Sequence, residues 1–188
     1  MESETRRPFI SVQYLRDNTI INDNVDAKIL LPIIKMAESK YIKEVLGTSL
    51  YDKLHSDVNT NSITGVYKTL MDDYVIPVCV QYTVYEAIPY GNFKFNNKAI
   101  SKQASETSTV VDLTELTYLR DNVLNTAEFY SQQMIKYLCA NSSSFPQYME
   151  FVNGGTMPQK DAYFNGYHIP KKGVYRRNYG DPGGEINL

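Results

Sequence analysis

The stretch LTELTYLRDNVLNTAEFYSQQMIKYLCA, residues 113–140, decides the fold class of this chain. Its apolar residues recur at steps of three and four, the period of a helix that buries one side. Asp112 and Glu115 have the spacing of a capping box at the start of such a helix, with Asp in place of the usual Ser or Thr. We therefore predict one long helix of a bundle here. Its predicted inner stripe consists of Leu116, Leu119, Val123, Ala127, Tyr130, Met134, Tyr137 and Leu138.

Upstream of this stretch, residues 27–46 show a second helical pattern. Asp26 is the expected N-cap and Gly47 the expected C-cap. Pro32 lies inside the pattern, so we expect a kink or a late start there. A short helix should follow as far as about His55, where the imidazole would interact with the helix dipole at the surface.

A polar loop is predicted over residues 58–64, and a long helix over residues 66–88. The second half of this helix is apolar nearly all round, which is typical of a central buried helix. Pro77 should kink it, because proline lacks one backbone N–H. A last short helix is expected near residues 146–151.

Three segments lack helical rhythm. Residues 1–25 are predicted to be extended, and the polar residues 92–111 to form a β-hairpin or an arm. From residue 152 the chain becomes rich in Gly and Pro and cannot build a core of its own. The predicted fold is therefore mainly α: a helical bundle domain over residues 1–151 with that insertion, followed by an extended C-terminal arm over residues 152–188.

The C-terminal arm interleaves basic and aromatic side chains. Such a segment can become ordered on a neighbouring protein. The same mixture is found in proteins that bind single-stranded nucleic acid, so both interpretations stay open, with protein docking preferred. The candidate partner-binding residues are Tyr163, Phe164, Tyr167, Lys171, Lys172, Tyr175, Arg176, Arg177 and Tyr179.

Composition narrows the class of protein. The net charge is −2, so there is no bulk attraction to nucleic acid or to an anionic membrane. Neither a signal peptide nor an apolar stretch long enough to span a bilayer is evident. Cys79 and Cys139 lie in apolar helical patterns, which favours buried reduced thiols over a disulfide. The sequence predicts a protein made in a reducing cytoplasm.

No residue pattern predicts catalysis, a cofactor or a metal site. His55 and His168 are isolated, and the chain has only two Cys, so zinc ligands do not come in pairs. Asp72 and Asp73 are adjacent on a helix and point about 100° apart, which does not suit a shared acid–base site. The Asn- and Asp-rich residues 17–24 lack the spacing of a calcium loop and are predicted to cap helices instead.

Three runs in this order resemble the head–tail connectors, or neck adaptors, of tailed bacteriophages. They are NVDAKILLPIIKMAESKYIKEVLGTSLYDKL (24–54), LMDDYVIPVCVQYTVYEAIPY (70–90) and ELTYLRDNVLNTAEFYSQQMIKYLCAN (115–141). Within them, LGTSLYDKL and NTAEFYSQQMIKYL are the most specific. The likeness is greatest to the versions in crAss-like and other Bacteroidetes phages, and it covers about residues 10–151.

The resemblance implies a non-enzymatic virion protein with no cofactor. Copies of it would form a homo-oligomeric ring, of about twelve subunits, between the portal protein and further neck or tail proteins. The ring would complete the head, extend the channel and lie near the genomic DNA, with no membrane partner. The alternatives are a small nucleic-acid-binding module acting through its tail, and a cryptic hydrolase.

Overall fold

The computed structural model describes residues 6–91, 93–96, 99–102, 113–150 and 155–160. Helix α1 spans Val12–Asp17, and the Ser11 side chain accepts a hydrogen bond from the Tyr14 N–H at its start. The prediction of an extended N-terminal segment is therefore wrong at α1. A cap at Ser11 and burial of Leu15 against the body stabilise this short helix.

Helix α2 spans Ala27–Ala37, and the Asp26 carboxylate accepts a hydrogen bond of 2.9 Å from the Lys28 N–H, as expected of its N-cap. The helix passes through Pro32, so a late start is wrong. At this position proline removes only one intrahelical hydrogen bond, which burial of Leu30, Ile33 and Ile34 offsets. A π-helical turn, Glu38–Ile42, continues the helix.

Helix α3 spans Lys43–Thr60 and is broken at Gly47, whose φ of 74° and ψ of 164° are not helical. The chain thus turns at the predicted glycine. The helix then runs past His55 to Thr60, so the predicted end at His55 and the predicted loop from residue 58 are wrong. Asn61 supplies the left-handed conformation, φ 52°, that closes the helix.

Helices α4, Gly65–Leu70, and α5, Ile76–Gly91, are joined by a second π-helical turn, Met71–Val75. The Ile76 N–H bonds to the Met71 carbonyl across this turn. The irregular turn ends two residues before Pro77, which has no main-chain N–H to donate, and π-helical turns are a known cause of helix bends.

Strands β1, Phe93–Asn96, and β2, Ala99–Lys102, pair antiparallel, with Phe93 opposite Lys102. They occupy part of the predicted insertion. Residues 103–112 lie outside the described residues, as does the predicted cap Asp112, so a role for the whole insertion as a hairpin or arm stays a prediction.

Helix α6 spans Leu113–Ala140, as predicted, and is followed by a 3-10 turn, Ser142–Ser144, and by α7, Pro146–Met149. The mainly α class is confirmed. The core lies where α5 packs against α2 and α6, and α3 packs against α7. Its fully buried members include Leu46, Leu50, Leu54, Leu70, Val75, Val78, Met134, Leu138 and Phe145.

Candidate functional site

The predicted partner-binding tail begins next to residues 155–160, which are the described residues closest to it in the chain. The candidate residues between Tyr163 and Tyr179, and the isolated His168, all lie outside the described residues. The structure does describe residues 155–160, which we call the tail root. The way this root is fastened fixes where the tail leaves the body.

The main chain of the tail root is held at the break in α3 by hydrogen bonds to main-chain atoms and to the Thr48 hydroxyl. The Thr48 N–H donates to the Thr156 carbonyl at 3.0 Å, and the Thr156 N–H donates to Thr48 Oγ1 at 2.8 Å. One turn earlier, the Gln159 N–H donates to the Glu44 carbonyl at 3.1 Å. The break at Gly47 leaves carbonyl and N–H groups of α3 without helical partners, and the tail root supplies them.

Gly47 also permits the close approach of Pro158, which is buried. A Cβ atom at Gly47 would lie 2.8 Å from Pro158 Cδ and 2.9 Å from Pro158 N. The backbone of Gly47 has a φ of 74°, in the region that residues with an L side chain rarely adopt. Gly47 is thus required for two reasons, its positive φ and the close approach of Pro158. Only the structure reveals the second reason.

The last described residues of the tail root lie against the C-terminal end of α6. The Tyr148 hydroxyl donates to the Gln159 carbonyl at 3.0 Å, and Cys139 Sγ lies 4.0 Å from the Lys160 carbonyl. Cys139 is exposed, so the prediction that both thiols are buried is wrong for this residue, since it lies on the outer side of α6. Cys79 is buried, and both cysteines are free.

The N-terminal segment, residues 6–10, is fastened to α3 and to the first π-helical turn. Arg6 pairs with Asp52 at 2.9 Å, and the Phe9 N–H donates to Glu38 Oε1 at 2.5 Å. The Phe9 ring stacks on the His55 ring with centroids 4.0 Å apart and meets Tyr51 edge-on at 5.5 Å. We call Glu38, His55 and Phe9 the N-terminal lock.

The lock contains titratable groups whose pKa values are displaced in opposite directions. Burial raises the pKa of Glu38 to about 7, against the opposing effects of the Phe9 N–H and the Lys35 charge. Burial and the nearby Arg6 charge lower the pKa of His55 to about 4. Burial also raises the pKa of the Cys79 thiol, which lies 3.9 Å from Glu38 Oε1.

This geometry corrects the prediction that His55 is a surface residue at a helix end. His55 is 3% exposed, and its Nε2 lies 3.8 Å from Glu38 Oε2, while Glu38 is 2% exposed. The residue falls inside α3 because that helix continues to Thr60, and it shares the buried face of Tyr51 four residues earlier. An acid, an imidazole and a thiol are brought together here, but they are closed off from solvent.

A second polar cluster fastens the N-terminal half of α6. Burial alone would raise the pKa of Glu86. Hydrogen bonds from Lys40 and the Tyr41 hydroxyl nevertheless hold this pKa below its ordinary value. Tyr41 stacks on Tyr82 of α5, and the Arg120 guanidinium of α6 lies 4.3 Å from the centre of the Tyr85 ring. This cation–π contact holds one side of α6 on α5.

The opposite side of α6 exposes large apolar side chains, and we call it the outer face of α6. Tyr118 is 72% exposed and Phe129 is 56% exposed. Leu119 and Tyr130, predicted to be in the inner stripe, are 42% and 37% exposed. The prediction of burial is wrong for Leu119 and Tyr130, because the predicted apolar stripe of α6 is wider than the groove that α5 offers. Ala127, Met134 and Leu138 are buried as expected.

Among the described residues no cluster of ligand side chains suits a metal ion. Within the Asn- and Asp-rich residues 17–24, Asn18 closes α1, as predicted of a helix cap. Every helix in the described part of the chain is too short or too polar to cross a bilayer. Asp72 is exposed and pairs with Lys68 at 2.5 Å across one helical turn.

Residues 42–154 match a family of unknown function, DUF6712. The chain belongs to the DUF6712 family. The region that matches the family begins before Gly47 and ends just before the tail root. It therefore contains Glu44 and Thr48, which bond to the tail root, but not the tail root itself. No curated protein and no solved structure matches the chain.

Proposed function

We propose that this protein is a structural component of a tailed-phage neck, a connector that forms a homo-oligomeric ring between the portal and the next neck or tail proteins. The observation that carries the proposal is the tail root. It fixes the base of a basic, Tyr-rich tail on a helical body by main-chain bonds at Thr48 and Glu44. A rigid base with a long extension suits a protein that reaches a neighbour.

The outer face of α6 supports an assembly role. Monomeric proteins seldom expose large aromatic side chains at helical spacing, and Tyr, Phe and Met are common in the centres of interfaces. Ring interfaces join two different surfaces of each subunit, which extended segments of the chain can supply. The insertion at 92–111, proposed as a hairpin or arm, is a second such segment and would reach the channel or the next ring.

The buried Glu38–His55–Cys79 cluster favours a structural role over a hydrolase. Its acid and its imidazole face the N-terminal segment, and Glu38 accepts the Phe9 N–H. A catalytic acid and base need access to a substrate, whereas Glu38 and Cys79 are 2% and 0% exposed. We propose no catalytic residue and no cofactor for this chain.

Electron microscopy of the purified portal with and without this protein tests the proposal. The expected result is an added ring of density below the portal. The triple variant Tyr175→Ala, Arg176→Glu, Arg177→Glu should weaken ring formation, while the exposed helix variant Lys28→Glu serves as a matched surface control. Particles that lack the protein yet keep their DNA and join tails normally would refute the proposal.

The alternative is a nucleic-acid-binding module acting through the tail. It predicts tight binding of a single-stranded oligonucleotide that weakens steeply with salt and is abolished by the same triple variant. The connector proposal expects only weak DNA binding. A fluorescence-anisotropy titration at two salt concentrations separates the two functions.

A further inference from the structure

We propose that the outer face of α6 pairs with the same face of a second copy of this chain, with the two helices antiparallel. The inference deepens the proposed function, because it names what this face meets and leaves the ring contacts to the extended segments. A contact that uses the same surface of both copies closes on itself as a pair and cannot build a ring alone. The pair therefore belongs to the free protein, before it meets the portal.

The centre of the outer face has the spacing of a coiled-coil seam, and we call it the α6 seam. Its residues recur at alternating steps of four and three, so they lie on one line of the helix. The line is about 27 Å long, at 1.5 Å per residue. All its members are exposed except Gln132, which is half-buried. The α6 seam consists of Tyr118, Asn122, Asn125, Phe129, Gln132 and Lys136.

Helix α6 packs on the body through the side opposite to the seam. Ala127, Met134 and Leu138 are buried there, and α6 meets α5 and the second π-helical turn. The two aromatic residues of the seam, Tyr118 and Phe129, are about three helical turns apart and are 72% and 56% exposed. Exposed aromatic side chains on one line of a helix are typical of a surface that another helix covers.

The two ends of the seam carry opposite charges. Glu115 and Asp121 lie three residues before and three residues after Tyr118, so their carboxylates flank that ring at one end. At the other end, Lys136 is the only charged residue among residues 129–140. These three charged side chains are exposed, and none of them forms an ion pair within the described part of the chain.

The charges select the antiparallel orientation. In a parallel pair each residue would face its own copy, so Lys136 would meet Lys136 and Asp121 would meet Asp121. In an antiparallel pair centred at Ala127, Lys136 of one chain lies opposite Tyr118 of the other. Its ammonium group can then contact that ring and both flanking carboxylates. A helix with an acidic, aromatic end and a basic end is its own complement, so the occupant of this face is a second copy.

The middle of the seam fixes the register of the pair. With the same centre, Asn122 lies opposite Gln132, and Asn125 lies opposite Phe129. Side-chain amides can donate hydrogen bonds to each other and accept them. Polar residues at seam positions specify the register at a cost in stability. A single pair of helices with few apolar contacts gives a weak, reversible dimer.

Analytical ultracentrifugation of the full chain under reducing conditions tests the pairing. We expect a monomer–dimer equilibrium between micromolar and hundreds of micromolar protein. Lys136→Glu should raise the dissociation constant about tenfold, because the charge pairs at both ends are reversed. Lys28→Glu, at an exposed position of α2, is the matched control and should leave the equilibrium unchanged.

A charge swap between two variants sharpens this test. Glu115→Lys/Asp121→Lys should weaken self-association as Lys136→Glu does, since like charges then meet at both ends. An equimolar mixture of these two variants should recover the dimer, because opposite charges again face each other at each end of the mixed pair. Circular dichroism should show unchanged helix content, because all the substituted side chains are exposed.

Disulfide crosslinking in a Cys139→Ser background reports the orientation. Cys79 stays out of the reaction because it is fully buried. The variants Asn122→Cys and Gln132→Cys are oxidised separately and as a mixture. We expect a disulfide-linked dimer in the mixture only, because the two positions face each other in the antiparallel pair. Two copies of the same position are about 15 Å apart along the seam.

Three results would overturn the proposal: a chain that stays monomeric up to hundreds of micromolar, a dimer that Lys136→Glu leaves unchanged, or a crosslinked dimer in either cysteine variant alone. Ring formation on the portal is judged separately by microscopy, so a missing pair leaves the neck function standing. A pair without a ring would refute the neck function and keep the pairing.

Discussion

The N-terminal segment is fastened to the body by buried side chains, whereas the tail root is fastened by main-chain hydrogen bonds around a glycine. Glu38 and His55 hold Phe9 on one side of α3. Thr48 and Glu44 hold Thr156 and Gln159 at the break in the same helix. The first attachment contains titratable groups and should respond to pH. The second depends on main-chain groups and on the Thr48 and Tyr148 hydroxyls rather than on a carboxyl or an imidazole, so it should respond to backbone geometry. Four experiments can separate the two attachments.

The largest effect is expected at the tail root, from Gly47→Ala. The new Cβ would meet Pro158 at 2.8 Å in a conformation with φ 74°, and strain plus overpacking should lower the free energy of unfolding by about 3 kcal/mol. Urea denaturation followed by circular dichroism measures it, and limited proteolysis reports release of the root.

Gly65→Ala is the matched control for this change. Gly65 also has a positive φ, 57°, but a Cβ atom at this position would have no neighbour within 4 Å among the described residues. Only the backbone strain should then remain, about 1 kcal/mol. Equal losses at the two glycines would show that Pro158 is not held against Gly47.

The second effect concerns pH at the N-terminal lock. The pKa of Glu38 is raised to about 7 on folding, so its contribution to stability is complete below pH 4.5, its ordinary pKa, and is lost as pH rises toward 7. The pKa of His55 is lowered to about 4, so its contribution is complete above 6.5 and is lost as pH falls toward 4. In the natural chain the two slopes nearly cancel between these ordinary pKa values.

Single variants should therefore show opposite slopes. Glu38→Gln leaves His55 and should lose up to about 3 kcal/mol of stability as pH falls from 6.5 to 4. His55→Gln leaves Glu38 and should lose a similar amount, up to about 3 kcal/mol, as pH rises from 4.5 to 7. Urea midpoints measured across this range check the signs, and slopes of the same sign in both variants would contradict the assignment.

A smaller loss is expected from Thr48→Val, which keeps the shape of the side chain but removes the acceptor of the Thr156 N–H. The free energy of unfolding should fall by about 1 kcal/mol. Hydrogen exchange of the Thr156 amide is the direct readout. Ser49→Ala removes only the exposed bond to Glu150 and serves as control; unchanged protection in Thr48→Val would contradict the root geometry.

The smallest effect is expected from Arg6→Ala. The Arg6–Asp52 pair is largely exposed, with 54% and 46% of the two side chains accessible, so its loss should cost about 0.5 kcal/mol or less. The pKa of His55 should rise, because the Arg6 charge helps to lower it. An NMR titration of the His55 ring measures this shift, and a fall in the pKa would be inconsistent with the charge effect.

Local sequence patterns predicted the helices best where capping and periodicity agreed. The bounds Leu113–Ala140 were predicted, as were the Asp26 cap and the break at Gly47. The errors fell at α1 and at the end of α3. In both places a single polar residue, Ser11 or Asn61, opens or closes a helix, and such residues are common in loops as well.

The candidate site was only partly predictable. A glycine C-cap can be recognised in the sequence, but its contact with Pro158 joins residues far apart in the chain. His55 was misplaced because a histidine near a predicted helix end suits the surface, and nothing local signals the approach of Phe9. The exposure of Leu119 and Tyr130 was missed because periodicity gives the direction of a stripe but not the width of its groove.

The sequence alone determined the mainly helical class, the positions of most helices and the basic, aromatic character of the tail, because these follow from periodicity, capping and composition within short stretches of chain. Only the tertiary structure decided which groups are buried together, where each terminal segment is fastened, and which side of α6 is left uncovered. Those outcomes depend on contacts between distant residues, and burial, pKa displacement and close packing exist only once these contacts are made.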